Sequence, residues 1–219
     1  VSTVKLQKAK GRAENTKPYF DLMYETVQSI LAKSGHINHK YLKESESDKK
    51  AVIVVTANRG LAGGYNSNIT RMIIDEGFTK ENTVVYAVGK KGRELLERKG
   101  YEIKADYSEA INDPIYKDAK EICDDVLSAF ADGEVGEIYL AYTVFKNTVV
   151  HEPQLIRLLP VEADDAAHET DGSEALMTYE PSEEEALDMI IPKYVCSLVY
   201  GALIESVASE NGARMQAMD

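Results

Sequence analysis

Three glycines in Asn58-Arg59-Gly60-Leu61-Ala62-Gly63-Gly64 follow a short apolar run and precede a helical pattern. In open α/β proteins this is where backbone N–H groups hold a nucleotide phosphate. The rest of that chemistry is missing. Gly60, Gly63 and Gly64 are not spaced GxGxxG, and no Gly-Lys-Ser/Thr follows to reach phosphates and magnesium. No acid ends the next strand in the ribose-binding place, where Val88 and Gly89 stand. The turn therefore reads as structural, with small-molecule or nucleotide binding by Gly60–Gly64 as the alternative. Gly89-Lys90-Lys91-Gly92 opens the next helix and offers a weaker anion site. Hydrolytic chemistry has no GxSxG elbow and no HExxH pair, and His36, His39, His151 and His168 are scattered. His36 and His39 read as solvated. Asp124-Asp125 and Glu183-Glu184-Glu185 sit at helix positions where solvation accounts for them. Cys123 and Cys196 are far apart within helical patterns and indicate neither a disulfide framework nor a thiolate metal site. No catalytic set, metal site or cofactor site emerges.

The elements that would position such groups alternate. Ala51–Ala57 (AVIVVTA) is a β-branched run without a polar face, as in a strand covered on both sides. Helices are expected over Asn66–Glu76, Lys90–Lys99 and Pro114–Ala131, the last with Pro114 near its first turn and Asp132-Gly133 as its stop. Strands are expected over Thr83–Val88, Tyr101–Asp106, Glu137–Thr143 and Val149–Leu159. This order predicts an α/β fold, a largely parallel three-layer sheet with one antiparallel edge.

The two ends read differently. Residues 1–33 form one helical tract containing Pro18, and residues 182–219 form another that never meets a stop signal. Leu187, Ile191, Tyr194, Leu198, Gly201, Glu205, Ala208, Gly212 and Met215 follow the alternating spacing of a helix-pairing seam. A rod of that length spans roughly 57 Å, longer than a compact domain needs. Pro192 predicts a kink or a fresh helix start. The organisation expected is a helix over 1–33, an α/β domain over 51–160, an acidic loop over 161–181 and a helix over 182–219. The net charge of −12 speaks against nucleic acid, but residues 162–188 carry eleven acids and no Lys or Arg, leaving the rest near neutral. No run approaches the roughly 18 uninterrupted apolar residues of a membrane span, and two cysteines fit a reducing cytoplasm.

TANRGLAGGYNSNI after the first strand, GKKG after the second, YTVFKNTVVHEPQLIRLLPV across the last two and YGALIESVASENGARMQAMD in the final helix occur in one order. Together they resemble the gamma subunit of bacterial-type rotary F-type ATP synthases, from Val1 to Asp219. The resemblance implies a Rossmann-like mostly parallel sheet inserted between N- and C-terminal helices that pair as an antiparallel coiled coil. It implies a non-catalytic central-stalk rotor coupling ion flow through a membrane ring to conformational cycling of the catalytic hexamer for ATP synthesis. Its partners would be the alpha and beta subunits of that hexamer, the epsilon subunit and the membrane c-ring. Nucleic acid, cofactors and a direct membrane span are not implied, and the place is the cytoplasmic face of the bacterial plasma membrane. The resemblance assigns Glu210, Arg214 and Gln216 to the hexamer contact, with Arg214 as a planar fork for a stator carboxylate; a surface i,i+4 pair with Glu210 is the alternative. It assigns Tyr179 and Glu180 to the epsilon and ring contact, and Gly60, Gly63, Gly64 and Asn66 to a structural turn. Relative to that family the sequence lacks the first turns of the N-terminal helix and the last part of the C-terminal one, so the axle tip is expected to lie outside it. The family's frequent cysteine between the glycines is Ala62 here, and no inserted cysteine pair of the chloroplast kind is present, so redox control is not expected.

Overall fold

The structure, a computed structural model, describes residues 1–34, 39–43, 45–162 and 182–219. Helix α1 (Ser2–Ser34) is followed by β1 (Lys50–Val55), α2 (Tyr65–Asp75), β2 (Thr83–Val88), α3 (Lys90–Arg98) and β3 (Glu102–Asp106). A short 3₁₀ turn, Ser108–Ile111, leads to α4 (Tyr116–Ala131), β4 (Glu137–Phe145), β5 (His151–Leu159) and α5 (Glu183–Met218). The strands form one sheet in the order β3-β2-β1-β4-β5. β1 runs parallel to β2 and β4, and β2 parallel to β3. β5 returns antiparallel to β4, as the short connection requires.

β1 lies at the centre, and its side chains alternate between two cores. Ala51, Ile53 and Val55 face a large cluster shared with α1, α4 and α5, while Val52 and Val54 face Ile69 and Ile73 of α2 and Leu96 of α3. Both faces being dry, the strand can carry no polar residue, hence AVIVV. Helices α1 and α5 run antiparallel: Thr3 reaches Met215 at one end, and Met23 meets Ser197 at the other.

Helix α5 starts at a capping motif, with the Glu185 N–H donating to Ser182 Oγ at 3.3 Å and three glutamates in the first turn suiting the helix dipole. It then continues through Pro192 without a fresh start. A mid-helix proline costs about 3 kcal/mol. Leu187, Ile191, Val195, Val199 and Leu203 are all fully buried around it, and each contributes about 1.5–3 kcal/mol, so packing outweighs the lost ladder bond. Pro18 is likewise carried inside a continuous α1.

Other expectations need correcting. Pro114 precedes the N-cap of α4 rather than lying in its first turn, because the Asp118 carboxylate caps the helix at Ile115 by accepting that residue's N–H at 2.9 Å. By length and composition α5 could cross a membrane, with a mean hydropathy of 1.5 over its most apolar window, although no single uninterrupted apolar run reveals it. Since 56% of that window is buried inside the protein, the apolar character is that of a core helix.

Candidate functional site

Strand order reverses between β1 and β4, and the crevice outside the carboxyl ends of those two strands is where doubly wound proteins bind ligands. Here the second half of α5 lies in it. The Tyr65 hydroxyl donates to the Ser206 carbonyl at 3.1 Å, and Ser209 Oγ donates to the Thr143 carbonyl, at the end of β4, at 3.3 Å. Arg214 Nη2 donates to the Gly60 carbonyl at 3.4 Å. Ala213 packs against Ala57, Ala62 and Tyr65, and Gly212 lets the helix approach His151 so closely that a Cβ there would stand 2.7 Å from the imidazole. Beyond the crevice Ala208 packs on Leu6 and Ala9 of α1. The small residues in this half of α5 therefore admit both the sheet edge and the other helix.

The glycine turn is shaped to grip this helix. Leu61 and Gly63 adopt positive φ of 61° and 58°, which swing the chain round into α2. Asn66 Oδ1 accepts the Ala57 N–H at 2.8 Å and closes the turn; Gly64 precedes α2 at its N-cap position. The second glycine motif holds no free anion cradle. The Lys90 N–H donates to Asn58 Oδ1, Lys91 N–H to the Ala57 carbonyl and Gly92 N–H to Thr56 Oγ1 at 2.8 Å, so protein groups take the first-turn donors of α3. Gly89, at φ 116°, and Gly92 are required because a Cβ at either would collide with Thr56.

Arg214 and Glu210 lie inside the joint. Their side chains are 8% and 12% exposed and are joined at 2.7 Å, so the i,i+4 pair exists but is buried rather than on the helix surface. Arg214 Nη1 has no partner among the described residues. Gln216 is exposed. Tyr179 and Glu180 lie outside the described residues, as do His36 and His168 and most of the acidic loop.

His39, expected to be solvated, is 1% exposed. Its Nδ1 accepts the Tyr41 N–H at 3.1 Å, which leaves Nε2–H to donate to the Asp188 carboxylate at 2.7 Å and ties the connection after α1 to the start of α5. Among the described residues no group of three or more His, Cys, Asp or Glu could hold a metal.

Residues 1–219 match the family model described as ATP synthase. The ATP synthase gamma chain of Lachnoclostridium phytofermentans is 63% identical across the whole chain and 77% of its own length. The chain belongs to the ATP synthase gamma chain family. The sodium-ion-specific ATP synthase gamma chain of Acetobacterium woodii is 37% identical over the whole chain and 78% of its own length. A solved central stalk and c-ring structure of Tetrahymena thermophila mitochondrial ATP synthase shares the fold, with a TM-score of 0.70 at 24% identity, over 100% of this chain and 94% of that one. The rotor of the Euglena gracilis mitochondrial enzyme aligns with a TM-score of 0.57 at 16% identity, over 99% and 87%.

In this gamma chain Tyr65, Thr143, His151, Ser206 and Ser209, which seat α5, escaped the sequence reading, while Gly212 was read as part of a helix-pairing seam rather than as a seat on the sheet. The available signal was the run of small residues Ser206, Ala208, Ser209, Gly212 and Ala213 on a helix otherwise rich in large apolar ones.

The joint is expected to weaken in acid. Burial holds the His151 imidazole below its ordinary range, and neither ring nitrogen has a hydrogen-bond partner among the described residues to offset it. A depressed folded pKa means the neutral ring is the form that packs against Gly212. Its contribution is complete above the unfolded value, near 6.5, and is lost as pH falls through the lower folded value. Acid unfolding between pH 7 and pH 5 is expected to be shallower in His151→Gln than in the parent, as followed by circular dichroism.

Proposed function

We propose that the chain works as the non-catalytic rotor of the ATP synthase, with α1 and α5 as the shaft and the five-stranded domain as the base. The observation that carries this reading is the occupation of the ligand crevice by α5. A nucleotide-type scaffold whose switch point is filled by its own helix has exchanged a binding site for a rigid joint. Torque applied to the base then reaches the shaft through packed side chains and buried hydrogen bonds rather than through a hinge. The alternative, a nucleotide or small molecule on Gly60–Gly64, requires α5 to leave the crevice.

In this reading ion flow through the membrane c-ring turns the base, which also holds the epsilon subunit by the region of Tyr179 and Glu180. The asymmetric shaft cycles the alpha and beta subunits of the hexamer through their conformations. The hexamer contact falls at Glu210, Arg214 and Gln216: Gln216 is exposed, and the buried Nη1 prong of Arg214 has no acceptor among the described residues. Gly60, Gly63, Gly64 and Asn66 act as a turn. The complex stands at the cytoplasmic face of the bacterial plasma membrane, with this subunit peripheral and α5 kept out of the lipid by its packing.

Gln216→Cys in the assembled complex, paired with single cysteines placed in facing loops of the hexamer, tests the assignment. Oxidation should stop ATP-driven rotation and dithiothreitol should restore it. If no hexamer position cross-links to residue 216, that contact is misassigned.

A further inference from the structure

The helix-pairing seam of α5 carries a single charged residue, Glu205, between Gly201 and Ala208. A carboxylate in such a row loses hydration, and the loss must be offset by a partner. The cations near it are engaged elsewhere: Lys17 pairs with Asp21 at 3.3 Å and Lys146 with Glu152 at 2.9 Å, and among the described residues no ion pair includes Glu205. Burial pushes the Glu205 carboxyl above its ordinary range, by more than the nearby charge of Lys17 lowers it.

The carboxylate faces space. Glu205 lines a groove of about 660 Å³ between α1 and α5. The two helices touch on either side of it. At one end Leu6 and Ala9 pack on Ala208; at the other the Ser197 hydroxyl donates to Met23 Sδ at 3.3 Å and Phe20 stacks on Tyr194 with ring centroids 6.3 Å apart. Between these contacts stands Gly201, and nothing lies within 4 Å of the place its Cβ would occupy. Tyr19, Tyr116, Phe145 and Tyr200 wall the opening, with Tyr116 and Tyr200 meeting edge-on at 5.8 Å. Among the charged residues that line it, Lys10, Glu14, Lys17, Asp21 and Lys146 are exposed, and Glu205 alone is half-buried.

We propose that this groove binds a monovalent organic cation, an ammonium group on an aromatic or alkyl body, whose charge meets Glu205 and whose body lies against the aromatic walls. The volume is that of a small-molecule site. The faces of tyrosine and phenylalanine rings attract a cation, and they do so most where water is excluded. An anion would meet both the carboxylate and the ring faces with the wrong sign. A neutral apolar guest would fill the space but leave the carboxylate desolvated and without a partner. Because the walls come from α1, α5, the start of α4 and the end of β4, one bound molecule would bridge the paired helices and the α/β domain.

The test uses the assembled complex and three probes that share one fluorinated body: phenylbutylammonium, neutral phenylbutanol and anionic phenylbutyrate, each titrated by fluorine NMR. The ammonium should bind about tenfold more tightly than the alcohol, the order expected of a hydrogen bond to a charged group, and the phenylbutyrate should not bind. Glu205→Gln should remove the preference for the cation and leave the alcohol unaffected. Lys17→Gln should tighten ammonium binding, because a positive charge near the carboxylate is gone. Gly201→Leu fills the groove at a helix position where leucine is the better helix former, so it should abolish binding of both probes with Tm unchanged or raised. Equal affinity for ammonium and alcohol, an ammonium affinity that survives Glu205→Gln or Gly201→Leu, weaker binding in Lys17→Gln, or no binding by the assembled complex would each overturn the proposal.

Discussion

Glu210→Gln is expected to lower the unfolding free energy of the gamma chain by about 3 kcal/mol, seen as a shift of the denaturant midpoint at unchanged slope. The glutamine leaves the Arg214 guanidinium, with a side chain only 8% exposed, facing neutral groups. Among the described residues its remaining acceptor is the Gly60 carbonyl at 3.4 Å. An exposed i,i+4 pair contributes about 0.3–0.5 kcal/mol, so burial raises the expected loss several-fold. The double replacement of Glu210 and Arg214 by methionine should recover most of the loss, because no charge then remains to be desolvated. A single variant within about 0.5 kcal/mol of the parent would show that the pair behaves as a solvated surface contact.

What sequence could show follows from the range of each interaction. The central strand was legible because burial on both faces removes polar residues from consecutive positions, and the antiparallel edge because the link from Phe145 is too short for a crossover. The start of α4 was misplaced because Asp118 can cap from three residues downstream, leaving Pro114 outside the helix. Continuity through Pro192 depends on five buried neighbours, which no local preference records. His39 looked solvated in a stretch crowded with Lys, Ser and Glu, yet its imidazole is fixed by Asp188, far along the chain. The same holds for the joint. Gly60–Gly64 advertised a turn, but its occupant is set by where α5 crosses the sheet. Local pattern thus carried the elements, while the contacts that make the base and shaft one body are long-range and sit on small, unremarkable residues.

Gly212→Leu should separate synthesis from hydrolysis. At an ordinary helix position, replacing glycine stabilises by roughly 0.5–1 kcal/mol. At this one the first added carbon would stand 2.7 Å from His151 Cε1 and 3.5 Å from the Thr148 carbonyl. Overpacking of this kind costs about 1–3 kcal/mol, so the clash exceeds the helix gain and α5 is pushed from its seat over β5. A shaft that rocks in its base loses angular precision before it loses binding to the hexamer. ATP synthesis by the assembled complex is therefore expected to fall several-fold, with ATP hydrolysis falling much less. His151→Ala placed beside Gly212→Leu should restore part of the synthesis rate, because the small side chain vacates the space the leucine needs. If the single variant leaves the ratio of synthesis to hydrolysis unchanged, torque enters the shaft through α1 and the crevice contact is only a packing solution.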